Sequence, residues 1–187
     1  MKGLLVILTV LSSFLANLET KTLQSDFVVT VSEEVNAPMN YPGSIVMCGS
    51  QFRLEMFNLE AAYDGKTMYM YSAETDELTL SNPTEQELVE TNPLLYAKAL
   101  VNVCNITERT TQDGQKTIIT LTPKDQSIGI NRFTLQVKNA DLIPLSVEIK
   151  EGKKSSVLKF KNPKFSNTKQ EYILTPDKDT YINDMRL

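Results

Sequence analysis

Few side chains in this 187-residue chain could make or break bonds, and their types narrow the chemistry at once. Histidine is absent, which excludes Ser-His-Asp and Cys-His nucleophile pairs, HExxH zinc sites and imidazole proton relays. The two cysteines, Cys48 and Cys104, are too few for a Cys-only zinc site. No GxGxxG, P-loop or GxSxG run occurs among the seven glycines. What remains are carboxylate pairs such as Glu33-Glu34 and Asp76-Glu77. They fall at expected strand ends and loops, where charges are ordinarily solvated rather than poised for acid–base work. The expectation is a protein that is not an enzyme and uses no cofactor or metal.

The remaining side chains suit binding. Nineteen Lys and Arg against 23 Asp and Glu leave a net charge of −4, which argues against a nucleic-acid partner. Apolar residues at 41% and charged residues at 22% describe an ordinary globular chain. A chain of this length can bury about two-thirds of its unfolded surface without staples. Met1-Lys2 followed by the apolar run Leu4 to Leu11 has the form of an export signal and is too short for a membrane span. A cut after Ala16 would put Phe14 where a small residue is expected. The same stretch carries a helical period, Leu11, Leu15 and Leu18 with Phe14 beside them. Residues 1–16 are therefore expected as a signal overlapping a first amphipathic helix, and residues 17–187 as one domain.

The elements that would position a binding surface are mostly strands. Phe27, Val29 and Val31 alternate with polar or opposite-facing partners, as do Phe52, Leu54 and Met56. Phe133-Leu135-Val137, Leu145-Val147-Ile149 and Leu158-Phe160 repeat the pattern. Period-two alternation predicts strands covered on one face. Asp64-Gly65, Asp113-Gly114 and Glu151-Gly152-Lys153 read as hairpin turns. About ten or eleven strands in a curled antiparallel sheet are expected. Two helix starts interrupt them: Asn82-Pro83 with Glu85 as a capping box, and Asn92-Pro93 ahead of the apolar Leu94 to Val101. The apolar helix needs a surface to cover and would lie across the concave side of the sheet.

Such a sheet either fills its inner face as a core or lines a cavity for an apolar ligand. Met47, Met56, Met68 and Met70 fall on neighbouring strands, and methionine suits surfaces that adapt to variable apolar partners, although it fills ordinary cores as well. The expected lining is Phe52, Leu54 and Met56, then Met68 and Met70, then Leu135, Val147 and Ile149, with Leu94 and Leu95 from the helical cover. Met70 is preferred over Tyr69 because a tyrosine hydroxyl seeks an edge or water. Core and cavity lining use the same residues at the same period, so each position reads equally as plain core.

The run Asp64-Gly65-Lys66-Thr67-Met68-Tyr69-Met70-Tyr71 resembles a strand of the LolA-like outer-membrane lipoprotein carrier family. Ser25-Asp26-Phe27, Gly43 to Met47 and Phe52-Arg53-Leu54 resemble its first three strands in order. Ser81 to Leu88, Leu121 to Asp125 and Tyr181 to Arg186 are similar to runs in a divergent branch. The resemblance implies an incomplete β-barrel, or half-barrel, under a helical lid. It implies a monomeric periplasmic carrier that shields the acyl chains of lipoproteins between the inner and outer membranes. The partners it implies are acylated lipoproteins, an inner-membrane ABC-type release complex and, in some lineages, an outer-membrane acceptor.

The better-known members carry an Arg-Pro pair that latches the lid, and Cys48-Gly49 stands at that place here. The latch therefore does not transfer. Cys48 is expected as an ordinary free thiol, with a disulfide to Cys104 as the alternative. A lipid- or lipoprotein-sensing or chaperone domain on the same fold, without a transport role, is the competing function.

Overall fold

The computed structural model of the chain describes residues 9–34 and 36–186. The first half of the expected signal, residues 1–8, lies outside them. Its C-terminal part is the first helix, α1 (Val10–Thr20), with Thr9 as N-cap accepting from the Ser12 N–H. Leu11, Phe14 and Leu18 recur on one face and are buried, so this stretch is part of the folded core. The carboxylate of Glu108 accepts from the N–H groups of Val10 and Leu11 at 3.1 and 3.0 Å. An anion at a helix start satisfies two amides that the helix itself leaves unpaired.

Among the described residues, twelve strands form a single sheet. Six build an antiparallel meander: β1 (Thr22–Ser32), β2 (Met39–Cys48), β3 (Gln51–Met56), β4 (Leu59–Tyr63), β5 (Met68–Ser72) and β6 (Glu77–Ser81). After α2 (Glu85–Thr91) and α3 (Pro93–Leu100), a second meander runs through β7 (Cys104–Thr110), β8 (Lys116–Pro123), β9 (Arg132–Lys138), β10 (Pro144–Glu151) and β11 (Lys154–Ser166). The meanders join where β11 pairs with β1 from Thr22↔Ser166 to Ser32↔Ser155. The register shifts between Gln24 and Asp26, opposite Asn162, whose φ is +52°. There the Ser25 hydroxyl donates to the Lys161 carbonyl at 3.0 Å. A bulge bends its strand and increases its twist, which curls a sheet of this width. β7 and β12 (Tyr181–Asp184) remain as edges, so the sheet is an open half-barrel.

The twelfth strand exceeds the ten or eleven expected. It pairs in parallel with β6, Ile182 beside Leu78. The acidic pair Asp76-Glu77 helps to hold it: Asp76 accepts from the Thr180 hydroxyl at 3.0 Å, and Glu77 from the Asn183 amide at 3.0 Å.

The expectation of a sheet covered on one face holds only in part. The main core lies on the concave side, where Phe14, Leu94, Leu95, Ala97 and Leu100 from the helices meet Phe52, Leu121, Phe133 and Leu135 from the sheet. A second cluster sits on the outer face of the first meander, where Leu174 packs with Ala62, Leu78 and Leu80. The irregular segment between β11 and β12 supplies Leu174 and runs as a strap across that face.

The first lid helix starts two residues later than its sequence suggests. Thr84 is the N-cap, accepting from the Glu87 N–H at 3.3 Å while the Glu87 carboxylate accepts from the Thr84 N–H at 2.8 Å. Thr84 and Glu87 have the three-residue spacing of a reciprocal capping box. Pro83 precedes the cap. The second start is as expected: Asn92 caps α3, accepting from the Leu94 N–H at 2.9 Å, with Pro93 at the first helical position.

Candidate ligand cavity

β1, β3, β10 and β11 lie on either side of the seam between the two meanders, and the rows they present to the concave face are apolar. Phe27 and Val29 come from β1, Leu54 and Met56 from β3, Val147 and Ile149 from β10 and Leu158 from β11. Val89 and Thr91 of α2, Pro93 and Tyr96 of α3, and Ile128 and Ile130 around a short 3-10 turn close the opposite side. Together they bound a cavity of about 790 Å³, open to solvent at one side. That volume lies within the range of small-molecule sites, about 300–1,000 Å³.

The strand between β1 and β3 contributes no side chain at this row. Gly43 pairs with Phe27 on one side and Met56 on the other. A Cβ on Gly43 would collide with the Glu55 carbonyl and stand 2.5 Å from Phe27 Cζ. The Phe27 ring therefore occupies the space above Gly43, and the glycine leaves room for it.

The cover is unevenly anchored. In α3, Leu94, Leu95, Ala97 and Leu100 are buried, and Tyr96 meets Phe133 edge to face at 6.2 Å. In α2 no residue is buried. Asn92 joins the two helices and is fully buried; its amide reaches Met47 Sδ at 3.7 Å, a weak acceptor. Lys98 of α3 pairs with Glu19 of α1 at 2.6 Å on the surface.

The polar groups of the cavity stand at its mouth. Gln86 and Glu90 of α2 and Glu151 at the end of β10 are exposed there, and Ser156 of β11, also in the lining, is half-buried. Burial raises the Tyr96 phenol above its ordinary 10.0, and the negative charges of Glu151 and Glu90 add to the effect. Tyr96 therefore remains a protonated hydrogen-bond donor at neutral pH.

Of the ten residues expected from sequence, Leu54, Met56, Val147 and Ile149 line this cavity. Phe52, Met68, Leu94, Leu95 and Leu135 are buried in the concave core beside it. Met70 is 44% exposed and outside the lining. It lies on β5, two strands beyond β3 and away from the seam that the cavity follows. Sequence reasoning placed no site role on Phe27, Val29, Leu158 or Tyr96. The alternation of Phe27 with Val29 was visible, but the pairing of β1 with β11 that brings them beside Val147 was not.

Both cysteines are free, Cys48 half-buried and Cys104 buried. At Cys48-Gly49, where no latch was expected to transfer, the Gly49 N–H donates to the Leu18 carbonyl at 2.6 Å and ties the β2–β3 turn to the end of α1. Among the described residues, no group of three or more Cys, Asp or Glu side chains is placed to hold a metal ion. Among them, too, no helix is long and apolar enough to cross a membrane.

No protein-family model and no curated protein matches the sequence. Solved structures do. An uncharacterized conserved protein from Thermus thermophilus superposes with a TM-score of 0.61 at 16% identity, covering 94% of this chain and 96% of that one. The MucA/MucB complex structure of Pseudomonas aeruginosa gives 0.51 at 16% identity over 87% of this chain, which spans 58% of that one. A LolA superfamily protein from Nitrosomonas europaea gives 0.40 at 10% identity over 93% of this chain and 98% of that one. At such identities the likeness is one of fold, and what this chain shares with the first two structures is the architecture of its sheet and helices.

Proposed function

We propose that this protein is a periplasmic carrier that shelters a lipoprotein acyl chain in the cavity between its curled sheet and the α2–α3 cover. The observation that carries this reading is the cavity itself: about 790 Å³, walled by aliphatic and aromatic side chains and open at one side. A heavy atom of a packed chain takes about the 30 Å³ share of a water in the liquid. The cavity then has room for about two dozen such atoms, one long chain with its linkage. Burying about 15 methylenes at ~0.8 kcal/mol each offers about 12 kcal/mol gross. Several chains at full value would exceed the ceiling on non-covalent affinity and would never be released. A lightly anchored α2 over one chain suits a carrier that must let go.

Release of this kind is an exchange between apolar sites and asks for no nucleophile or proton relay, which agrees with a chain lacking histidine. The partners that follow are acylated lipoproteins, an inner-membrane ABC-type complex that loads them and an outer-membrane acceptor in lineages that have one. The protein would act as a monomer. Export fits the apolar leader, but Leu11 and Phe14 belong to the core. A cut after Ala16 would remove both and leave Leu18 as the buried residue of α1.

A second reading is a sensing or chaperone domain whose partner is another protein. It draws support from the fold shared with a chain solved as a MucA/MucB complex.

An uncharged fluorescent acyl probe tests the carrier reading. Wild type should bind it saturably, and Leu54→Glu, which places a charge in the apolar wall, should weaken binding by about tenfold or more. Met70→Glu, outside the lining, should change it by less than about twofold by the same reasoning. No saturable binding by folded wild type would overturn the reading, as would equal effects of the two substitutions.

A further inference from the structure

The wall of the cavity is apolar, but its mouth has a sign. Glu90 on the last turn of α2 and Glu151 at the end of β10 are the charged residues of the lining, and both are carboxylates. No Lys or Arg belongs to the lining. Lys154 stands opposite Glu151 in the β10–β11 register, outside the lining, and the next lysine, Lys153, is already paired with Glu34. Tyr96 and Gln86 add hydrogen-bonding groups to the same lining. A chain seated on Val147, Ile149 and Leu54 brings its head to this rim, half out of water, where like charges repel more than in bulk solvent.

Resting on the carrier reading above, we infer that the cavity takes chains whose head is uncharged, that is, ester- or amide-linked acyl groups, and that Glu90 and Glu151 reject free fatty-acid anions. The Tyr96 hydroxyl, held protonated, is a donor for the carbonyl of such a linkage. This sign matters to a carrier of acylated polypeptide. Free fatty acids and anionic lipids offer the same hydrocarbon, and the wall alone cannot tell them apart. Rejection by charge acts on the competitor and leaves the affinity for the cargo chain moderate.

One sixteen-carbon chain carried on three heads tests the inference: palmitate, monopalmitoylglycerol and hexadecyltrimethylammonium. Each displaces the uncharged fluorescent acyl probe from the full chain, at low salt, below micelle concentrations and at mildly alkaline pH where palmitate is ionised. The glycerol ester and the ammonium should displace at roughly fivefold or more lower concentration than palmitate, and added salt should narrow the gap. In the double variant Glu90→Gln/Glu151→Gln the ratio should fall to about twofold or less. Both positions are exposed, so folding is retained, and the readout is a ratio within each protein. Equal displacement by palmitate and the ester in wild type overturns the inference while leaving the carrier reading intact. A ratio unchanged in the double variant also overturns it. Failure of the uncharged probe to bind wild type overturns both.

Discussion

Asp64 shows how one side chain of the resemblance-bearing run earns its place. Its Oδ1 accepts from the N–H groups of Lys66 and Thr67 at 2.8 and 2.7 Å, and its Oδ2 accepts from the Tyr69 hydroxyl at 3.1 Å. Burial by itself would raise this carboxyl, but the amides of Thr67 and Lys66 and the Tyr69 hydroxyl outweigh it and hold it below the ordinary 3.8. A carboxyl that titrates lower in the folded than in the unfolded chain adds stability that is complete above the unfolded value and is lost as pH falls through the folded one. Asp64→Asn keeps a carbonyl acceptor but no charge. The variant should be the less stable protein at neutral pH, and the gap should close as pH falls from about 5 to about 2, read by urea unfolding at each pH. A gap that persists at the acid end would mean that the charge is not what the turn uses. The role of Asp64 as a turn residue was legible in Asp64-Gly65, because Gly65, at φ +100°, adopts a backbone that glycine alone takes freely. The role of Met70 was not: alternation puts it on the concave face, but exposure depends on how far the helical cover reaches.

At the scale of the element, β2 and the helical cover set the form of the site. Gly43 lets β2 pass beneath the Phe27 ring, which then stands as part of the cavity wall. Gly43→Ala should push the ring toward the cavity and strain the strand against the Glu55 carbonyl, costing about 1–3 kcal/mol in chemical unfolding. It should also weaken the acyl probe. Adding Phe27→Leu should recover only part of the stability, since the backbone collision remains; full recovery would assign the strain to the ring alone. The start of α3 was readable from Asn92-Pro93 because capping is a contact between near neighbours. The start of α2 was misplaced because Asn82-Pro83 and Thr84 through Glu87 offer two overlapping caps. The reciprocal pair of hydrogen bonds at Thr84 decides between them.

Across the whole molecule the two faces of the sheet are used differently: helices and a cavity inside, a strap outside. Leu174 anchors the strap among Ala62, Leu78 and Leu80 and delivers the chain to β12. Leu174→Ala should cost about 2–3 kcal/mol of stability by chemical unfolding, while the affinity for the acyl probe stays unchanged because the cavity lies on the other face. A loss of affinity matching the loss of stability would show that the two faces are coupled. The sequence by itself determined what depends on residue type and short range: the absence of imidazole chemistry, the period-two strands, the hairpin turns, the apolar α3 and its Asn92 cap. The tertiary structure alone decided that β1 and β11, more than a hundred residues apart, pair to make the seam under which the cavity opens. It also decided that the strap gives the first meander a second buried face, and that Glu90 and Glu151 line one cavity. Alternation records which way a side chain faces, and it is the same for a filled core and a lined cavity. Whether the space beyond is filled depends on strand pairing and on where the helices come to rest, and both are set by contacts far apart in the chain.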